Sequence, residues 1–108
     1  MSPARGERAA PIFAALGDET RLKLLTKLSG GSRVSIARLT ESSTLTRQAI
    51  SKHLRVLQDA GLVRGVRRGR ENLFELEPEP LDDARRVLDG ISRQWDAALA
   101  RLKSFVEK

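Results

Sequence analysis

Apolar residues recur at helical spacing in several stretches of the chain and alternate with polar ones in another, and recognisable start and stop residues separate the stretches. A first short helix is expected around Glu7 to Leu16. Asp18 then suits an N-cap, with Glu19 in the first turn and Leu22, Leu25 and Leu28 at helical intervals, until Ser29-Gly30-Gly31-Ser32 ends the helix. Ser35 is placed to cap a short helix over Ile36 to Ser42 that turns Ile36 and Leu39 toward a core, with room for a brief strand at Arg33 to Ser35. Thr44-Leu45-Thr46 forms the turn, and Thr46 caps a helix in which Ile50, Leu54 and Leu57 make one apolar stripe. Gly61, after Asp59-Ala60, stands where a left-handed residue closes a helix, and Leu62 can fold back onto it.

Two short helices joined by a tight turn predict a helix-turn-helix. The pattern then changes period. Leu62 to Arg68 and Asn72 to Leu76 read as paired strands around a turn at Gly69-Arg70-Glu71, with Phe74 and Leu76 alternating with Leu73 and Glu75. A hairpin in that place makes a winged helix. After Glu77-Pro78-Glu79-Pro80, Pro80 fits the first position of a last helix whose early turns hold Asp82 and Asp83. Leu81, Ala84, Leu88, Ile91, Trp95, Ala98, Leu102 and Phe105 follow at alternating intervals of three and four, a heptad seam. The expected fold is mainly α with a small β-hairpin: one winged helix-turn-helix domain over 1–108. Its parts are N-terminal helices in 1–28, the helix-turn-helix in 35–61, the wing in 62–76 and a dimerisation helix over 80–106.

Charge localises the function. The 108 residues hold 20 basic and 14 acidic side chains, a net of +6, but residues 31–70 alone hold nine basic and two acidic, a net of +7. The flanking blocks 1–30 and 71–108 carry +2 and −3. A cationic block confined to the helix-turn-helix and wing fits a polyanion footprint.

With Ile50, Leu54 and Leu57 turned inward, 100° per residue places Gln48, Lys52, Arg55 and Asp59 outward and Arg47 and Ser51 on one shoulder. In a helix-turn-helix the N-terminal part of the second helix enters the major groove, so Arg47, Gln48, Ser51 and Lys52 are candidates to reach base edges, with Arg55 on the same face. Arg and Lys donate to guanine O6 and N7, and Gln pairs with adenine N6 and N7. Thr44 and Thr46 suit a backbone phosphate, and Arg67, Arg68 and Arg70 of the wing suit the minor groove or phosphates. The seam residues Leu88, Ile91, Trp95 and Leu102, with Phe13 of the first helix, are candidates for a subunit interface.

Other chemistries find no support. The chain has one His, no Cys and no Tyr, and it lacks a phosphate-cradling glycine loop, so no acid, base and nucleophile set assembles and no enzyme activity is expected. His53 has no second His and no Cys beside it, which favours a packing or surface role. The run Ala9 to Leu16 contains Pro11 and falls well short of the roughly 20 residues of a membrane span. Arg5 and Arg8 before it imitate a signal peptide only faintly, and the absence of Cys fits a reducing cytoplasm. Double-stranded DNA and a second copy of the chain are the expected partners, with no membrane, cofactor or metal and with no inducer identified. A winged-helix module that uses the seam to hold another protein and never reads DNA is the alternative, and the polar face of Gln48, Ser51 and Lys52 argues against it.

Three segments resemble the ArsR/SmtB family of winged-helix repressors: FAALGDETRLKLLTKL (Phe13 to Leu28), LTRQAISKHLRVLQDAGLV (Leu45 to Val63) and VRRGRENLFEL (Val66 to Leu76). The resemblance implies a homodimer joined through the first and last helices that binds a pseudo-palindromic operator and represses until a signal weakens binding. Metal-sensing members carry a Cys-Val-Cys type box where this chain has Arg33-Val34-Ser35-Ile36-Ala37, or Asp and His ligands on the last helix, which here has no His. Its acids Asp82, Asp83, Asp89 and Asp96 lack a nitrogen or sulfur partner for a borderline metal. The closing segment is similar to the metal-independent branch of the family.

Overall fold

The computed structural model describes residues 5–107; residues 1–4 and Lys108 lie outside the described part. In chain order the elements are α1 (Arg5–Leu16), α2 (Glu19–Leu28), β1 (Val34–Ser35), α3 (Ile36–Glu41), α4 (Arg47–Asp59), β2 (Val63–Arg68), β3 (Glu71–Leu76) and α5 (Pro78–Val106). The three strands form one antiparallel sheet in the order β1-β3-β2. This is the expected winged helix-turn-helix.

Each expected cap is made. Asp18, Ser35 and Thr46 are extended residues whose side chains accept hydrogen bonds from the backbone N–H of Arg21, Arg38 and Ala49 at 3.0, 3.2 and 3.1 Å. Each bond satisfies a donor that the first helical turn leaves without a partner. At the other end of α4, Gly61 adopts φ +77°. Leu62 N–H donates to Leu57 O and Gly61 N–H to Gln58 O, both at 2.9 Å, which together make a Schellman closure. The chain therefore leaves α4 and enters β2 in one fixed direction.

The core is the apolar faces of α1 to α4 closed by the sheet. Ile50, Leu54 and Leu57 of α4 are buried against Leu24, Leu25 and Leu28 of α2, Ile36 and Leu39 of α3, Leu62, Val63 and Phe74. α1 buries Ala9, Ile12 and Ala15 and packs along the start of α5, where Ala84 is buried and Leu81 half-buried. The base of the wing lies close over α4: a Cβ on Gly65 would stand 2.8 Å from Gln58 Nε2 and 3.4 Å from the Phe74 ring. A larger residue there requires the exposed Gln58 side chain to move aside.

Three local expectations are corrected. Glu71 is not in the turn but begins β3 opposite Arg68, so the hairpin tip is the two residues Gly69 and Arg70. Leu62 is not in β2; its N–H belongs to the α4 closure and its carbonyl accepts from Glu77 N–H at 2.8 Å. α5 starts at Pro78 rather than Pro80. The first turn of a helix has no acceptors for its own N–H groups, so prolines at the first and third positions cost no hydrogen bond there.

Phe13, expected at a subunit interface, is half-buried and packs on the protomer's own core. Beyond Ala84 the seam has no such cover. Leu88, Ile91, Trp95, Leu102 and Phe105 are all more than half exposed, Trp95 at 63% and Phe105 at 78%. The helix, 29 residues and so about 43 Å long, outruns the core it starts from.

Two stability measurements follow from the caps. Gly61→Ala forces a Cβ into the left-handed region and is expected to cost about 1–2 kcal/mol, read as a lowered midpoint in urea unfolding. The carboxyl of Asp18 is held below its ordinary 3.8 by the Arg21 backbone N–H, and then by the charge of Arg21. A lowered folded-state value means that the cap's contribution is complete above pH 3.8 and disappears as pH falls through the lowered value. The gap in thermal midpoint between the native chain and Asp18→Ala is therefore expected to be full at neutral pH and to close in strong acid.

Candidate nucleic-acid interface

Burial of Ile50, Leu54 and Leu57 fixes the rotation of α4 and leaves Arg47, Gln48, Ser51, Lys52 and Arg55 exposed together. These five side chains line one open depression on the surface. All five present hydrogen-bond donors, three of them cationic, and Gln48 and Ser51 also accept. That is the donor-rich lining suited to guanine and phosphate edges. Sequence spacing places Gln48, Lys52 and Arg55 outward and Arg47 and Ser51 on one shoulder, and the structure brings all five around this depression.

The turn before α4 adds hydroxyl groups. Thr46 is exposed; its Oγ1 accepts the Ala49 N–H, and its O–H remains available to donate to a phosphate. Thr44 is exposed and lines a hollow of about 260 Å³ with Thr20, Lys23, Lys27, Ser42 and Ser43. Lys27 Nζ donates to Ser42 Oγ at 2.7 Å, which ties α2 to the turn. Sequence reading did not single out Lys23 and Lys27. Their spacing of four on the polar side of α2 was the available signal, but nothing local places that side next to the turn.

The wing raises Arg67, Arg68 and Arg70 to an exposed tip. Among the described residues, Arg47, Lys52, Arg55, Arg67, Arg68 and Arg70 form no ion pair. Several cations elsewhere are engaged, Lys23 with Glu19, Arg85 and Arg86 with Asp82, and Lys103 with Glu107, while Arg38 of α3 and Arg93 and Arg101 of α5 are not, among the described residues. Within the basic block 31–70, Arg33 and Arg64 both reach Glu75, at 3.1 and 3.0 Å through their Nε atoms. Arg64, then Arg33, holds the Glu75 carboxyl below its ordinary range, and Glu75 raises Arg64 in turn. These two arginines brace the base of the sheet. The cationic footprint is correspondingly smaller than the block count of +7, and it is concentrated on α4 and the wing tip.

His53 points away from the basic face. It is half-buried, with Nδ1 3.7 Å from Asp18 Oδ2 and 3.4 Å from Arg21 Nη1. Among the described residues no three His, Cys, Asp or Glu side chains gather in a way that would hold a metal ion, and no helix is long and apolar enough to cross a membrane.

A helix-turn-helix with a basic outward face and an adjoining cationic wing defines a DNA-binding transcriptional regulator. Comparison with known proteins identifies its family. Residues 16–66 match the family model described as a helix-turn-helix domain. YuzN of Bacillus subtilis, an uncharacterized HTH-type transcriptional regulator, is 43% identical over 76 residues, covering 65% of this chain and 83% of that protein. The arsenical resistance operon repressor of the same species is 30% identical over 70 residues, 65% of this chain and 67% of the repressor. The solved structure of an ArsR-like transcriptional regulator from Rhodococcus sp. RHA1 superposes with a TM-score of 0.77 at 40% identity, covering 92% of each chain. The chain belongs to the ArsR family of winged-helix transcriptional regulators.

Proposed function

We propose that this regulator is a repressor that binds a pseudo-palindromic operator as a homodimer, without a bound metal ion. The observation that carries the proposal is the set of exposed, unpaired donors on α4 beside a wing tip of three unpaired arginines. Gln48, Ser51 and Lys52 with Arg47 take the base edges, while Arg67, Arg68 and Arg70 take phosphates or the minor groove. Arg55 and the hydroxyls of Thr44 and Thr46 hold the flanking backbone.

Dimerisation is supported by the apolar stripe of α5. Leu88, Ile91, Trp95 and Leu102 leave a broad hydrophobic surface on a helix that no other described element covers. Patches of that kind on a soluble chain mark association surfaces. A twofold dimer carries two recognition helices into successive major grooves about 34 Å apart, which sets half-sites one helical turn from each other. The part of Phe13 left exposed by its own core is available to the same interface. Occupancy of a promoter by such a dimer blocks transcription, the activity named for the arsenical resistance relative. The acids of α5 are all carboxylates, a poor set for borderline metals.

Gel-shift titration on fragments of the chain's own promoter tests base reading. Lys52→Ala or Arg47→Ala is expected to weaken specific binding by about 1–3 kcal/mol, whereas Arg70→Ala weakens all sequences alike and lowers the salt slope by about one. A chelator is expected to change nothing. Binding indifferent to both sequence and salt would overturn the proposal. Sedimentation tests assembly: the native chain is expected to be a dimer, and Trp95→Asp with Leu102→Asp a folded monomer with greatly weakened operator binding.

A further inference from the structure

One polar cluster lies outside the DNA-facing surface and yet touches the recognition helix. Arg21, in the first turn of α2, joins three helices. Its Nε donates to Ala15 O and its Nη2 to Ala14 O at 3.4 Å, both in the last turn of α1, where carbonyls lack intrahelical partners. Its Nη1 stands 3.4 Å from Nδ1 of His53 on α4. Its own backbone N–H is held by Asp18 Oδ2 at 3.0 Å, the same oxygen that lies 3.7 Å from His53 Nδ1.

The direction of the contact with His53 is fixed by chemistry. A guanidinium carries donors only, so Nη1 and Nδ1 are hydrogen-bonded when Nδ1 presents its lone pair and the ring proton is on Nε2. The guanidinium is planar and rigid, so its donors to α1 and its donor to α4 move as one body. His53 directly follows Ser51 and Lys52 and precedes the buried Leu54. The buried stripe sets which way α4 faces through apolar contacts, which are non-directional. The contact at His53 adds a directional polar tie between the same helix and α1.

We propose that Arg21 is a positioning residue for DNA reading, holding α4 through His53 against the last turn of α1. The proposal rests on the DNA-binding role of α4. It assigns the single histidine a task that neither its isolation nor its half-burial explains. α1 in turn packs along α5, so Arg21 joins α4 to the layer that those two helices form.

The test compares operator affinity, affinity for unrelated DNA and salt slope across variants of the full chain. Arg21→Met keeps the aliphatic stem without the donors, His53→Leu removes the acceptor, and His53→Asn returns an acceptor near the position of Nδ1. Arg21→Met and His53→Leu are each expected to lower operator affinity about tenfold, with the double variant no weaker than either and His53→Asn within about twofold of native. Affinity for unrelated DNA and the salt slope are expected to stay unchanged, since no phosphate contact is lost. If Arg21→Met fails to fold by circular dichroism, the His53→Leu and His53→Asn pair carries the test alone. Unchanged operator affinity, additive losses, a reduced salt slope or failure of Asn to restore binding would each overturn the proposal. If the native chain prefers no promoter fragment, the DNA-reading role itself falls, a result distinct from these.

Discussion

The structure depends on the burial of one side of α4. Ile50, Leu54 and Leu57 occupy the centre of the core, enclosed by Leu24, Leu28, Leu39 and Leu62. Turning any of them outward would expose a large aliphatic side chain, at roughly 1.5–3 kcal/mol each. The rotation of α4 is thereby set, and Arg47, Gln48, Ser51, Lys52 and Arg55 have only solvent, or a ligand, to face. The caps at Thr46 and Gly61 limit the helix to that length and direct the chain straight into the wing. A short helix is thus presented as a rigid reading surface without any contact of its own to hold the basic side chains still.

The cations of this molecule differ in whether an acidic partner stands beside them. Glu75 engages Arg33 and Arg64, and Asp82 engages Arg85 and Arg86, so these cations serve the protomer. The cations of α4 and the wing tip have no such partner among the described residues. Unpaired like charges on neighbouring positions repel one another and add nothing to folding, which makes their accumulation a sign of a polyanionic ligand. α5 has a different character: it carries both signs of charge, with Arg85 and Arg86 on Asp82, and its exposed stripe is apolar, so one end of the molecule is suited to DNA and the other to association.

Much of the fold was legible because it is local. An N-cap needs a short polar side chain three residues before the N–H it accepts, and Asp18, Ser35 and Thr46 each stand at that distance. Gly61 was readable because a left-handed closure selects glycine. The hairpin tip and the start of α5 were read one to two residues off. At those points two prolines two positions apart, or two consecutive polar residues, satisfy the same local rule equally well.

The sequence by itself therefore determined the elements, their order, the outward face of α4 and the overhanging seam of α5, because periodicity and capping are interactions between residues a few positions apart. Tertiary structure alone decided that Arg33 and Arg64 close on Glu75 instead of joining the cationic surface. It alone turned Phe13 onto its own core, set Lys27 against the turn, and brought Arg21 from α2 to His53 on α4, 32 positions away. Pairings of that kind depend on where helices cross, and crossing geometry follows from packing the whole core together.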